Sequence, residues 1–400
     1  MPQISRRGLE MPSSPIRKLA PLANEAKRQG VKVYHLNIGQ PDLPTPQKGL
    51  DVLKAIDRKT LEYSPSEGLA MLREKLVKYY AKFNIADITA ENIIVTSGGS
   101  EAILFAFLAC MNPGDEMIMV EPGYANYISF AVTAGIKVVT VTSYIEDGFK
   151  LPPMEDFERA ITDKTKAILL CNPNNPTGYV YSPQELQQLK ELVVKHDLYL
   201  IADEVYREFV YTNEPYVSAM SLGIPEHVIL VDSVSKRYSE CGIRVGMLVT
   251  RNRLVYDTVM KYCQARLSPP LLGQLVADAS IEGTEEYSKQ CYNEYKERRD
   301  FFIKGLNSIP GVYSPMPHGA FYTVASLPVA DAEDFCRWCL TDFRLDGETV
   351  MMAPAAGFYR NPDLGRNQVR LAYVLKKEDL QRALMLLRGA LKAYNRRTVY

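Results

Sequence analysis

From about residue 91 to residue 250 the chain alternates short β-branched or apolar runs with helical stretches. The runs Asn92–Thr96, Glu116–Val120, Lys137–Thr142, Ala167–Cys171, Tyr199–Ala202, Val228–Asp232 and Gly246–Thr250 each have the length of a strand. Ser182–His196 lies between two of them and opens Ser-Pro-Gln-Glu, a capping hydroxyl, a first-turn proline and a returning carboxylate. Apolar strands separated by amphipathic helices predict an α/β architecture, a mostly parallel seven-stranded sheet covered by helices on both faces. Ligands of such sheets bind beyond the carboxyl ends of the strands. The residues just after each run are therefore the ones to read for chemistry.

The 400 residues exceed one ordinary core and suit two domains. We expect a large domain over 49–295 and a smaller α/β domain over 296–400, joined by an N-terminal segment, 1–48. Gly319–Val324 and Gln368–Tyr373 read as strands of the smaller unit, and the helical stretch Gly283–Leu306 as the link. With 47 basic and 47 acidic residues there is no bulk charge for nucleic acid or a membrane surface. MPQISRRGLEMPSSP lacks the apolar core of a signal peptide, so cytoplasm is the expected compartment. Seven cysteines do not form a disulfide framework, and Cys336 and Cys339 fall on one helical face beside Phe335 as core thiols.

Four strand ends carry candidate chemistry. Lys236 stands in Ser233-Val-Ser-Lys236 after the run Val228–Asp232, with Arg244 eight residues on. A lysine among hydroxyls and a second cation can lose its proton and act as a covalent amine. Hydroxyls with an arginine are also what a phosphate monoester needs. Together they suggest a pyridoxal phosphate (PLP) lysine. Thr96-Ser-Gly-Gly-Ser-Glu101 joins a strand to the apolar helix Ala102–Met111. Its glycines and the helix N-terminus suit an anion, although a bare turn has the same composition. Asn172-Pro-Asn-Asn-Pro-Thr-Gly178 forces a tight turn that aims Asn175 inward, or is an ordinary Asn-Pro loop. Asp203 and Glu204 end the apolar strand Tyr199–Ala202. A carboxylate there needs a cation or donor, for which a pyridinium nitrogen serves. No histidine lies near enough to make a metal site. All four segments are predicted to meet at one edge of one sheet.

With these motifs in order, the chain resembles the class I aminotransferases of fold-type I PLP enzymes over essentially its whole length. The matches are Asn37-Ile-Gly-Gln-Pro-Asp42, Tyr63 before Ser66-Glu-Gly68, Ser97-Gly-Gly-Ser100, Asn172–Gly178, Ala202–Tyr206, Ser233–Lys236 with Arg244, Gly319-Ala-Phe-Tyr322 and Val369-Arg-Leu371. The resemblance implies roles for these residues. Lys236 would form the internal aldimine and then shuttle the proton between the substrate Cα and the cofactor's C4′. Asp203 would keep the pyridine nitrogen protonated, and Asn175 and Tyr206 would hydrogen-bond the ring oxygen. Tyr124 would stack on the ring. Gly99, Ser100, Ser233, Ser235 and Arg244 would hold the phosphate, with Tyr63 reaching in from the second subunit of a homodimer. Arg370 would grip the substrate α-carboxylate beneath Gly39.

In style the sequence is similar to prokaryotic aspartate aminotransferases, which makes aspartate the expected donor and 2-oxoglutarate the acceptor. Arg266, in Gln264-Ala-Arg-Leu-Ser-Pro-Pro270, is the candidate partner-subunit cation for a dicarboxylate side chain, with an interface arginine as the alternative. Aromatic, alanine or prephenate donors stay open, as does a carbon–sulfur β-lyase using the same lysine and aspartate. The stretch Ala353–Tyr359 departs from the family's usual Pro-Gly-x-x-Phe-Gly and is followed by a longer loop.

Overall fold

The computed structural model describes residues 2–397. After β1 (Lys32–His35) come the seven strands of the central sheet: β2 (Ile93–Thr96), β3 (Glu116–Glu121), β4 (Lys137–Thr142), β5 (Thr165–Cys171), β6 (Tyr199–Asp203), β7 (Val228–Ser233) and β8 (Gly246–Thr250). Their spatial order is β2-β8-β7-β6-β5-β3-β4, and only β8 runs antiparallel to its neighbours. Side chains alternate between two cores, one on each face. Ile94, Met117 and Leu169 point into one core, while Ile93, Val95, Ile118 and Ile168 point into the other. Burial on both faces explains why these strands read as continuous apolar runs.

The reversed strand has a functional consequence. Six strands deliver their carboxyl ends to one edge, and β8 starts at that same edge, with Gly246 opposite both Thr96 and Ser233. The connection from β7 to β8 therefore doubles back along the edge. Lys236 lies just after the end of β7, and Arg244 just before the start of β8.

The helix after β5 is Pro183–Lys195, with the expected reciprocal cap. Ser182 Oγ accepts from Glu185 N at 3.2 Å, and Glu185 Oε2 accepts from Ser182 N at 2.7 Å. Two further sheets are built from β9 (Tyr322–Ser326), β10 (Glu348–Met351), β11 (Ala353–Pro354) and β12 (Gln368–Ala372). β1 pairs in parallel with β10, and β12 lies antiparallel between β11 and β9. The N-terminal segment is thus joined to the C-terminal third by backbone hydrogen bonds. The helix Glu285–Asn307 runs continuously past position 295 and packs on the C-terminal helix Lys377–Arg397.

The strand expected at Gly319–Val324 lies instead at Tyr322–Ser326. Gly319 and Ala320 are drawn off by a different contact: Gly319 N donates to Gly178 O, Ala320 N donates to Phe209 O, and Ala320 takes φ +56°. They dock the C-terminal unit onto the Asn172–Gly178 loop. Cys336 and Cys339 are buried in the helix Ala332–Thr341, as their spacing predicts. No helix among the described residues is long and apolar enough to cross a membrane.

Candidate active site

A cavity of about 900 Å³ opens at the carboxyl edge of the central sheet. Twelve of the residues singled out from the sequence line it: Gly39, Gly99, Ser100, Tyr124, Asn175, Asp203, Tyr206, Ser233, Ser235, Lys236, Arg244 and Arg370. Tyr63 and Arg266 do not. The former is 79% exposed, on the loop before Ser64.

Lys236 sits in a single helical turn, Val234–Arg237, which Ser233 caps by accepting from Ser235 N at 3.1 Å. Its Nζ donates to the carbonyl of Gly39 at 2.9 Å, and Tyr322 Oη donates to the same carbonyl at 3.2 Å. Only a glycine fits there, because a Cβ on residue 39 would lie 1.8 Å from the Tyr322 hydroxyl. Tyr322 Oη is also 3.0 Å from Tyr206 Oη. Burial pushes the Tyr206 hydroxyl well above its ordinary pKa, so it stays protonated and serves as a hydrogen-bonding group.

Asp203 closes β6 at 5% exposure. Burial raises its pKa to about 6, against the pull of two donors: Tyr127 Oη at 2.6 Å and Val205 N at 3.3 Å. The next strand end anchors this one. Asp232 is fully buried and accepts from Arg237 Nη1 at 2.8 Å and from Tyr80 Oη at 2.9 Å, with Arg207 3.3 Å away. Burial alone would raise its pKa, but the two guanidiniums win and hold the carboxyl below the usual range.

The loop Ser97–Ser100 leads into the helix Gly99–Cys110, whose N-terminus has no side-chain cap. Gly98 has φ +81°, and a Cβ there would lie 2.3 Å from Arg244 Nη2. Arg244 ties the loop to its own β7–β8 connection, donating to Ser97 O at 3.3 Å and Cys241 O at 3.0 Å. The hydroxyls of Ser233 and Ser235 are 2.7 Å apart. Uncapped amides, two hydroxyls and a guanidinium form a phosphate-shaped donor set.

Arg370, on β12, is 1% exposed and flanked by the rings of Tyr322 and Phe358, 4.8 and 5.2 Å from its Cζ. It donates to Asn37 O, and to Asn175 Oδ1 at 3.4 Å, but its buried Nε has no partner. Burial lowers its pKa. A buried guanidinium with no acid beside it and an unmet N–H calls for an anionic ligand.

Arg266 lies away from its own chain's cavity. Its Nη1 pairs with Glu101 Oε2 at 3.3 Å, and its Nη2 donates to Ser66 O at 3.0 Å, all within one chain. Glu101 Oε2 in turn accepts from Ser97 N at 2.8 Å. Arg266 is therefore a staple beneath the glycine loop.

Several contributors carried no role in the sequence reading. Tyr127 donates to Asp203, Tyr322 shares the Gly39 carbonyl with Lys236, and Asn37 accepts from Arg370; only Tyr322 and Asn37 stood in recognised motifs. Tyr124 accepts from Asn126 Nδ2 at 2.8 Å and meets Tyr127 edge-on at 5.3 Å.

Comparison with known proteins agrees with this geometry. The sequence pattern of the family described as aminotransferase class I and II matches residues 31–387. The aspartate/prephenate aminotransferase of Thermus thermophilus is 32% identical over 386 residues, covering 95% of this chain and 97% of that one. The structure of an aspartate aminotransferase from Thermotoga maritima superposes with TM-score 0.89 at 30% identity, covering 97% of this chain and all of that one. The structure of an alanine aminotransferase from Pyrococcus furiosus gives the same TM-score and identity, over 98% of this chain.

Proposed function

The chain belongs to the class I and II aminotransferases, and from that premise we propose that it moves the amino group of aspartate to 2-oxoglutarate on pyridoxal phosphate. The observation that carries this is the convergence of four strand ends and Arg370 on one cavity. The residues fit the cofactor. The uncapped loop with Ser100, Ser233, Ser235 and Arg244 matches a phosphate, Asp203 matches a pyridinium, and Lys236 is an accessible amine. Bound there, the cofactor supplies an electron sink for the pair left at the substrate Cα.

The chain's own residues do the rest. Arg370 uses its unpartnered Nε and its fork to orient the α-carboxylate. Lys236 Nζ takes the Cα proton. The Gly39 carbonyl, which holds that amine at 2.9 Å, keeps it on the substrate side. Asp203, held by Tyr127, would supply the negative charge that keeps the cofactor's ring nitrogen protonated. Tyr206 and Asn175 supply hydrogen bonds near the ring oxygen, and Tyr124 supplies a stacking face. Residues 49–295 form the cofactor domain, and residues 1–48 with 296–400 the smaller one. Two chains pair so that Tyr63 of each reaches the other's phosphate. The aspartate in the relatives' names supports that donor, while the neighbour named as an alanine aminotransferase keeps alanine as the second choice.

The test follows the visible band of the cofactor-loaded protein as single amino acids are added without a 2-oxo acid. Aspartate and glutamate should bleach it, and 2-oxoglutarate should restore it. Bleaching by alanine alone would move the donor, and pyruvate and ammonia from cystathionine would favour the β-lyase. A protein that develops no band with pyridoxal phosphate while Lys236 is intact would sink the reading.

A further inference from the structure

Four cations and one carboxylate line the cavity: Arg17, Lys236, Arg244 and Arg370 against Asp203. Three of the four have a partner in the proposed reaction. Arg244 meets the phosphate, Arg370 the α-carboxylate, and Lys236 is the reacting amine. Arg17 is left over. Its side chain is exposed, and its guanidinium makes no hydrogen bond or ion pair with a described residue. The neighbouring Lys18, by contrast, is neutralised by Glu333.

The backbone fixes where Arg17 sits. Pro15 packs against Gly357, where a Cβ would come within 2.5 Å of the proline ring. Ile16 leans on the cluster around Phe358, and its carbonyl accepts from Asn37 Nδ2 at 2.9 Å. The carbonyl of Asn37 accepts from Arg370. Arg17 follows Ile16 directly, so a short relay of hydrogen bonds ties it to the α-carboxylate arginine. Both cations also act on one group: burial pushes the Tyr124 hydroxyl up to about 12, and Arg370 and Arg17 pull against that rise.

We infer that Arg17 of the same subunit binds the side-chain carboxylate of a dicarboxylate substrate. Arg266, by contrast, already pairs with Glu101 and donates to Ser66 in its own chain. Aspartate and 2-oxoglutarate carry the second carboxylate one or two methylenes beyond Cα, and Arg17 offers a second, unpaired guanidinium lining the same cavity as Arg370. The inference rests on the reading that the substrates are dicarboxylates.

Succinate and butyrate, unreactive acids of equal length with and without the second carboxylate, separate the possibilities. Their binding to the cofactor-loaded protein is measured by calorimetry for wild type, R17Q, R17K and R266A. The expected result is a loss of about 10- to 100-fold in succinate affinity for R17Q, with butyrate changed less than about twofold. R17K should recover much of the loss, and R266A should keep the preference for succinate. The ratio of kcat/KM for aspartate over alanine should fall in R17Q by a similar factor. A wild type that prefers succinate and an R17Q that keeps the preference would overturn the assignment to Arg17 alone. A wild type that binds both acids equally would overturn it together with the dicarboxylate reading. Loss of the preference in R266A instead would return the role to that arginine.

Discussion

A carboxylate left 5% exposed at a strand end is held at a cost when nothing positive meets it, and Asp203 is in that position. Its folded pKa of about 6 lies above the ordinary 3.8. Between those values the folded chain binds more protons than the unfolded one, so stability falls as pH rises through that window. Above it the cofactor-free protein carries the whole penalty, about 3 kcal/mol for a shift of this size. Asp203→Asn should therefore raise the melting temperature of the cofactor-free protein by roughly 2–4 °C at about pH 7.5, given the unfolding entropy of a chain this long. The gap should close as pH falls toward about 4. The same change should lower kcat at least about a hundredfold, because the amide cannot keep a ring nitrogen protonated. Melting curves of the cofactor-free pair across pH decide the matter. A gap that is flat with pH would mean that Asp203 is not charged in the unliganded cavity.

Arg266 acts at the scale of elements. Its guanidinium joins Ser66, before the helix Ala70–Ala81, to Glu101, on the helix Gly99–Cys110, and Glu101 holds the amide of Ser97. The carbonyl of Ser97 then accepts from Arg244. Arg266→Ala leaves Glu101 half-satisfied at 17% side-chain exposure, between the surface and buried cases. A loss of about 1–3 kcal/mol in stability is expected. Pyridoxal phosphate should dissociate several-fold more readily, which a fluorescence titration would register. Unchanged cofactor affinity would show that the staple is not needed by the loop. The contrast with Arg244 shows what a sequence makes legible. Arg244 was readable because it sits at a fixed short step from Lys236, and both ends of that step are strand termini. β4 and β8 carried the bounds read from sequence, because their apolar runs stop at residues that leave the sheet. β9 starts three residues later than its run suggests because Gly319 and Ala320 are claimed by Gly178 and Phe209, contacts more than a hundred residues away. Tyr127 serves Asp203 across 76 positions, and Arg17 is tied to Arg370 through Asn37; no local pattern announces either.

For the whole molecule the open matter is what covers Tyr63. It stands 79% exposed with Leu61 and Leu267 also exposed, 59% and 52%, whereas we propose that it reaches a partner's cofactor site. An exposed aromatic beside exposed leucines is the composition of an interface. If two chains exchange Tyr63, each site is a composite of one subunit's Lys236 and the other subunit's Tyr63. Lys236→Ala should be inactive alone, and Tyr63→Ala should retain only a residual rate. In a mixture, the hybrid dimer has one site with both residues intact and one with neither. After random exchange of equal amounts, half of the dimers are hybrids and half of their sites are whole, so activity should recover to about a quarter of wild type. The assay follows the mixture through mild denaturant-assisted exchange, with the unmixed variants as controls. Activity equal to the average of the two variants would place Tyr63 outside the partner's site, whatever the oligomeric state. A recovered quarter would mean that one chain folds the sheet edge and its neighbour completes the phosphate's surroundings.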